Sequence, residues 1–147
     1  MIHLGKTIST NTDPEQCAFK LLQMDLNPQQ EMELCQMIMD ICVQRRTYEA
    51  FFGLLSQALC VFKKEYVQYF EKLIQVQYKT GHGLENVKLR SAAKLFTHLL
   101  VTNTMSWAAL DHIPIAEEDK TSTSAKFLKM LLSEVIQHLS EPHEIIL

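Results

Sequence analysis

An all-α fold of stacked antiparallel helical hairpins is predicted by three features of this chain. Apolar residues recur at helical spacing along most of it, capping residues precede several of those stripes, and turn formers are scarce. Only 4 Gly and 4 Pro occur among 147 residues, too few for the tight turns of a β-rich domain. The hydrophobic share of 47% and charged share of 21% match an ordinary globular protein. The length suits one domain with a real core, so residues 1–147 are expected to form a single unit.

Each element has its own signal. A short helix is expected over 2–10 and is broken at Asn11-Thr12-Asp13-Pro14. Asp13 can cap the next helix, with Pro14 at its first position and Gln16 closing a capping box. That helix turns Cys17, Ala18, Leu21 and Leu22 inward. The same chemistry returns at Asn27-Pro28 with Gln30. Behind it Leu34, Met37, Ile38, Ile41 and Cys42 trace one face. Arg45-Arg46 follows where cations suit the helix dipole.

Thr47 is expected to open a fourth helix, striped by Phe51, Leu54, Leu55, Ala58, Leu59 and Phe62 and ended by Lys63-Lys64. A fifth carries Tyr66, Tyr69, Phe70, Leu73 and Val76 and stops at Gly81. A sixth carries Leu89, Ala92, Ala93, Phe96 and Leu100 and frays at Thr102-Asn103-Thr104. Ser106 caps a short helix holding Trp107 and Leu110, which Pro114 ends. The stretch 111–122 reads as a long loop with Glu117-Glu118-Asp119 at its centre. A last helix over 123–139 is striped by Leu128, Leu131, Leu132, Val135, Ile136 and Leu139. Seven or eight helices joined by short connections make antiparallel neighbours, the hairpin unit of HEAT-like stacks.

Signals of chemistry are few. Gly81-His82-Gly83 lacks the Lys and Ser/Thr of a phosphate loop, and no G-x-S-x-G elbow occurs. Cys17, Cys35, Cys42 and Cys60 lie inside apolar stripes, where a thiol stays protonated and inert. They are expected to be reduced, which places the chain in the cytosol or nucleus. The six histidines, at 3, 82, 98, 112, 138 and 143, form no H-x-x-x-H pair, so no metal site is expected. No catalytic residue and no cofactor are expected either.

The net charge of −3 weighs against a phosphate-binding sheath. Arg45, Arg46, Lys63, Lys64, Lys88 and Arg90 form the one basic set that RNA could use. Their plainer role is to complement helix ends. No run of 18 apolar residues occurs, so no membrane span is expected. Met1–Gly5 carries neither the basic start nor the apolar run of a secretory signal. The apolar end Ile145-Ile146-Leu147 reads as a cut within a longer protein. Gly53, inside the most regular helix, is expected to mark the close approach of a neighbour. Trp107 is a half-buried wedge or an interface anchor. Long irregular segments of compact domains carry function more often than average, which draws attention to the acids at 117–119.

With the helices placed, the chain resembles the MA-3 domain, the helical-hairpin module of translation initiation scaffolds and of an inhibitor of the initiation helicase. Within that family it is most similar to the nucampholin branch of spliceosomal scaffolds. The likeness is carried by Arg45-Arg46-Thr47-Tyr48-Glu49, Phe51-Phe52-Gly53-Leu54-Leu55, Cys60 and Lys63-Lys64-Glu65-Tyr66. Leu89-Arg90, Ala93-Lys94, Phe96, His98-Leu99-Leu100, Trp107 and Thr121-Ser122-Thr123-Ser124 before Phe127 extend it over about residues 2–140.

The resemblance implies a nuclear, non-enzymatic docking domain. It would pack against core proteins of the spliceosome near the 5′ exon, support exon-junction complex assembly and meet RNA only within the full assembly. A preceding domain of the parent, not this one, would grip a DEAD-box helicase. The alternative it implies is direct binding and regulation of an initiation-type DEAD-box helicase. Its acids, however, do not stand in the local motif of the helicase inhibitors. The acids stand at the place where other MA-3 domains contact a basic partner, and Glu117, Glu118 and Asp119, with help from Trp107 and His112, are the expected protein-binding residues.

Overall fold

Two prolines start two of the helices as their neighbours dictate. Asp13 lies extended, and its carboxylate accepts from the backbone N–H groups of Glu15 and Gln16 at 3.0 and 3.3 Å. Pro14 has no N–H to lose and takes the first helical position. At Asn27 the box is complete: the Asn27 side chain accepts from the Gln30 N–H at 2.9 Å, and the Gln30 side chain accepts from the Asn27 N–H at 3.0 Å. The box expected at Gln16 does not form. That side chain stays exposed, and Asp13 alone serves the helix start.

The computed structural model describes residues 2–80, 86–112 and 123–140. Its helices are α1 (Ile2–Thr10), α2 (Pro14–Leu22), α3 (Pro28–Gln44), α4 (Ala50–Phe62), α5 (Glu65–Thr80), α6 (Asn86–Val101) and α7 (Thr123–Ser140). A 3-10 helix, Trp107–His112, lies between α6 and α7. The expected loop around Pro114 and the acids at 117–119, the stop at Gly81 and the cap at 121–122 fall outside the described residues.

The helices stack in two layers. α2, α4 and α6 follow one another in the first, and α1, α3, α5 and α7 in the second. α3 bridges the layers against α4 and α6, and α7 closes one end against both α5 and α6. This position explains why α3 buries more than the expected face. Cys35, Met39 and Val43 are buried beside Leu34, Ile38 and Cys42. α6 is the most enclosed helix, with Leu89, Ala92, Ala93, Leu95, Phe96, Leu99 and Leu100 in the core. Its buried Thr97 hydroxyl donates to the Ala93 carbonyl at 2.8 Å, and that of Ser56 donates to Phe52 at 2.8 Å. Neither hydroxyl is left unsatisfied. Phe96 meets Phe127 of α7 edge-to-face at 6.2 Å, a geometry that stabilises by about 1 kcal/mol beyond area burial.

α4 and α6 approach at Gly53, as expected. A Cβ there would lie 2.6 Å from the Tyr48 hydroxyl and 2.9 Å from His98 Cγ. The helix starts later than Thr47. The chain bends at 45–47, Tyr48 folds back over the first turn, and the N-cap is Glu49, extended and making no side-chain capping bond. Burial raises the Tyr48 phenol, the nearby Cys42 adds to the rise, and a backbone bond from Gly53 opposes it.

One buried carboxylate ties three elements together. Glu31, on the first turn of α3, receives Lys63 Nζ at 2.6 Å and the Tyr69 hydroxyl at 2.8 Å. Lys63 is the C-cap of α4, and Tyr69 lies on α5. The bond to Glu31 raises the Lys63 pKa. Burial, and then the same carboxylate, push the Tyr69 phenol up to about 12.

The inward stripes need correction in three helices. In α4 the core takes Phe52, Leu55, Ala58, Leu59 and Cys60, while Leu54, Val61 and Phe62 are 42%, 67% and 52% exposed and Phe51 is only partly buried. This helix is apolar on nearly all sides, so periodicity could not tell the face toward α6 from the face toward solvent. In α7 the core row is Phe127, Leu131 and Val135, and Leu132, Ile136 and Leu139 are exposed. In α5, Ile74 is buried and Val76 is exposed.

All four cysteines are buried and free. Burial pushes Cys17 up to about 11 and Cys42 and Cys60 up to about 12, and it raises Cys35 as well. Between the ordinary thiol value of 9.0 and these folded values, the unfolded chain loses protons that the folded chain keeps. Stability is therefore full below about pH 9 and falls as pH rises. Under reducing conditions the urea midpoint should hold from pH 7 to 8.5 and drop steadily from pH 9 to 11. A flat profile would contradict the burial of the thiols. In a separate test, Gly53→Ala sets overpacking of about 1–3 kcal/mol against a helix-propensity gain of about 1 kcal/mol. The expected net loss is on the order of 1 kcal/mol, read as a lower urea midpoint at unchanged slope.

Candidate protein-interaction surfaces

The 3-10 helix is set by the way α6 ends. Thr102 donates its hydroxyl to the His98 carbonyl at 2.7 Å and pairs with the Thr104 hydroxyl at 2.7 Å. Asn103 adopts φ 59°, a left-handed conformation that asparagine tolerates at a helix end. The N–H groups of Thr104 and Met105 then both reach the Leu99 carbonyl at 3.0 Å. Met105 and Ala109 are buried beyond this turn. Ser106 caps the next element, its hydroxyl accepting from the Ala108 N–H at 3.1 Å.

Trp107 is thereby held at the first position of a short helix whose start is fixed by the Ser106 cap and the buried Ala109. It is 41% exposed, so a large part of the indole faces water while its neighbours are anchored. That is the condition of an interface side chain that needs no reordering to bind. His112 is the last residue of the same helix. Trp107 and His112 are thus brought together on one element, whereas Glu117, Glu118 and Asp119 lie outside the described residues.

The basic set is divided by its partners. Lys63 is paired with Glu31, and Arg90 with Glu134 of α7 at 3.1 Å. Arg45 lies 5.6 Å from the Phe52 ring centroid, a cation–π contact. Its Nε is buried without a hydrogen-bond partner, beside a hollow of about 330 Å³ lined by Ile8, Ser9, Asn11, Thr12, Glu49, Phe51 and Phe52. Three of the six cations thus serve the fold, which lowers the charge left for phosphate. Between α6, α7 and Tyr48 is a polar hollow of about 240 Å³ that includes Lys94, His98, Glu134 and His138. His98 shares a 2.8 Å hydrogen bond with Gln57 of α4. Burial, aided by His138, lowers its pKa. No group of three His, Cys, Asp or Glu suited to a metal ion exists among the described residues. No described helix is long and apolar enough to cross a membrane.

Sequence reasoning missed the outward face of α4. Leu54, Ala58, Val61 and Phe62 line a groove of about 560 Å³ with Gln57 and with Asp13, Pro14 and Glu15 at the start of α2. The signal was present as a helix of 13 residues without one charged side chain. A helix buried on every side has the same composition, so only packing could separate the two.

The comparisons agree with this architecture. The MA3 domain model matches residues 7–106. The chain is 46% identical over 135 residues to a mouse (Mus musculus) protein named pre-mRNA-splicing factor CWC22 homolog, covering 92% of this chain and 15% of that protein. It is 44% identical over 133 residues to the Drosophila melanogaster protein of the same name, covering 90% of the chain and 10% of the relative. For the Caenorhabditis elegans counterpart the identity is 40% over 131 residues, with 89% and 15% covered. The chain therefore spans only about 15% of the length of most of these relatives. A model match over residues 7–106, on a two-layer stack of helical hairpins, places this chain in the MA3 domain family.

Proposed function

We propose that this chain is a non-enzymatic docking domain of a nuclear pre-mRNA splicing factor, a single MA3 unit within a longer protein. The observation that carries this reading is the 46% identity, over 92% of the chain, to a protein named as a splicing factor. The fold is consistent with it. The exposed side chains best suited to binding are apolar ones held on rigid helices, as docking to proteins requires. Its partners are core proteins of the spliceosome, and its parent supports exon-junction complex assembly. Contact with a DEAD-box helicase belongs to a preceding domain, and contact with RNA to the full assembly.

Trp107, His112, Glu117, Glu118 and Asp119 form one binding surface in this reading. Trp107 supplies an anchored apolar contact, and the acids steer a basic partner. Surface charge of this kind changes the rate of association more than the depth of binding. Purified domain added in excess to a nuclear splicing extract should compete with the parent and inhibit splicing of a reporter pre-mRNA. The double variant Glu117→Lys, Asp119→Lys should need several-fold more protein for equal inhibition. Unimpaired splicing at saturating domain would reject the docking role, and equal potency of the double variant would reject the acidic site. RNA-stimulated ATP hydrolysis by a DEAD-box helicase should be unchanged by the domain. A change there would favour the helicase-regulating alternative.

A further inference from the structure

We infer that the groove between α4 and α2 is a docking site for a basic amphipathic helix of another protein. The site uses elements other than the Trp107 surface, and it does not depend on the splicing assignment.

The first observation is that the outward row of α4 carries no charge and a single polar side chain, Gln57. Leu54, Ala58, Val61 and Phe62 stand at i, i+4, i+7 and i+8, and line the groove together. Ser56 is buried and donates to the Phe52 carbonyl, and Gln57, though it lines the groove, is hydrogen-bonded to His98. An exposed helix face ordinarily carries charge. Here Val61 and Phe62, the most exposed of the row, lie next to each other at its end. A contiguous apolar strip of this kind marks a binding surface.

The second observation is shape. The opposite wall is the first turn of α2, Pro14 and Glu15 behind the Asp13 cap. Phe19 stands four residues beyond Glu15, hence on the same side of α2, and is 56% exposed. The row from Leu54 to Phe62 runs for about 12 Å along the helix axis. That is the span of apolar anchors at i, i+4 and i+7 on a partner helix. No strand occurs among the described residues, so no sheet edge is offered for pairing with an extended peptide. A helix packed ridge into groove is the occupant this surface can take.

The third observation is charge. The charged residues lining the groove are Asp13 and Glu15 alone. Asp13 commits one oxygen to the α2 cap, and Glu15 is exposed beside it. No lysine, arginine or histidine is among the lining residues. Carboxylates at one rim select a segment whose flank carries Lys or Arg and disfavour an acidic one.

A random 16-residue peptide library displayed on phage, panned against the immobilised domain, tests this directly. Enriched sequences should carry apolar residues at i, i+4 and i+7 with Lys or Arg at the flank. Fluorescence titration of the selected peptides should show at least tenfold weaker binding to Val61→Lys. That substitution is exposed, and a cation suits the last turn of a helix, so the fold is retained and is checked by helical circular dichroism. Leu54→Gln should weaken the same peptides, and Glu15→Lys should weaken them several-fold and reduce their salt dependence. The inference is overturned if Val61→Lys enriches the same peptides, if the selected peptides are acidic, or if Glu15→Lys has no effect. It is also overturned if sedimentation shows a dimer that Val61→Lys dissolves and the peptides do not. The occupant would then be a second copy, whose α7 offers Leu132, Ile136 and Leu139.

Discussion

The spacing between α4 and α6 is the constraint on which the rest of the molecule depends, and a hydrogen atom sets it. At Gly53 the two helices approach so closely that a methyl group would enter the space of Tyr48 and His98. One turn further along α4, Gln57 meets His98 of α6. The contact therefore fixes both separation and rotation. Rotation matters most, because α4 has an apolar group in almost every direction. Turning Gly53, Ser56 and Gln57 toward α6 and the core leaves Leu54, Val61 and Phe62 on the outside.

Glu31 does for the second layer what Gly53 does for the first. A lone carboxylate this deeply buried would be costly, yet it is offset by a cation and a phenol from two other elements. The three groups come from the start of α3, the end of α4 and the body of α5. They fix the turn by which the chain passes from one layer to the other. Such networks specify an arrangement more than they deepen its stability. Their geometry accounts for a tight two-residue connection, Lys63-Lys64, between two long helices.

The helices were legible because their start signals are chemical and local. Asp13-Pro14 and Asn27-Pro28-Gln30 state where a helix begins without reference to anything distant. The close approach at Gly53 was legible too, since glycine inside a regular helix has few other reasons to be there. The faces of α4 and α7 were not. Periodicity reports which residues share a side, but the choice among apolar sides is made by neighbours far away in sequence. The start of α4 failed for a related reason: Tyr48 is held against Gly53 and His98 through folding, not by any local cap. Of the candidate site, Trp107 and its Ser106 cap were visible as a pattern of residue types. That the indole would remain 41% exposed follows from the turn at Asn103, which places Met105 rather than Trp107 in the core.

The placement of sulfur has a consequence of its own. The four thiols lie on α2, α3 and α4, and α5, α6 and α7 have none. In a stack each hairpin touches chiefly its neighbours, so opening can begin at one end without the other. Cys17 donates to the Thr7 carbonyl of α1 and is reached when that end loosens. Cys35 lies near Tyr66 and Tyr69, and Cys60 near Glu71, so both are uncovered when α5 departs. Damage at Cys17 would record past excursions of the α1 end and damage at Cys35 or Cys60 those of α5, while α7, packed chiefly on α5 and α6, could come away and close again leaving no chemical trace.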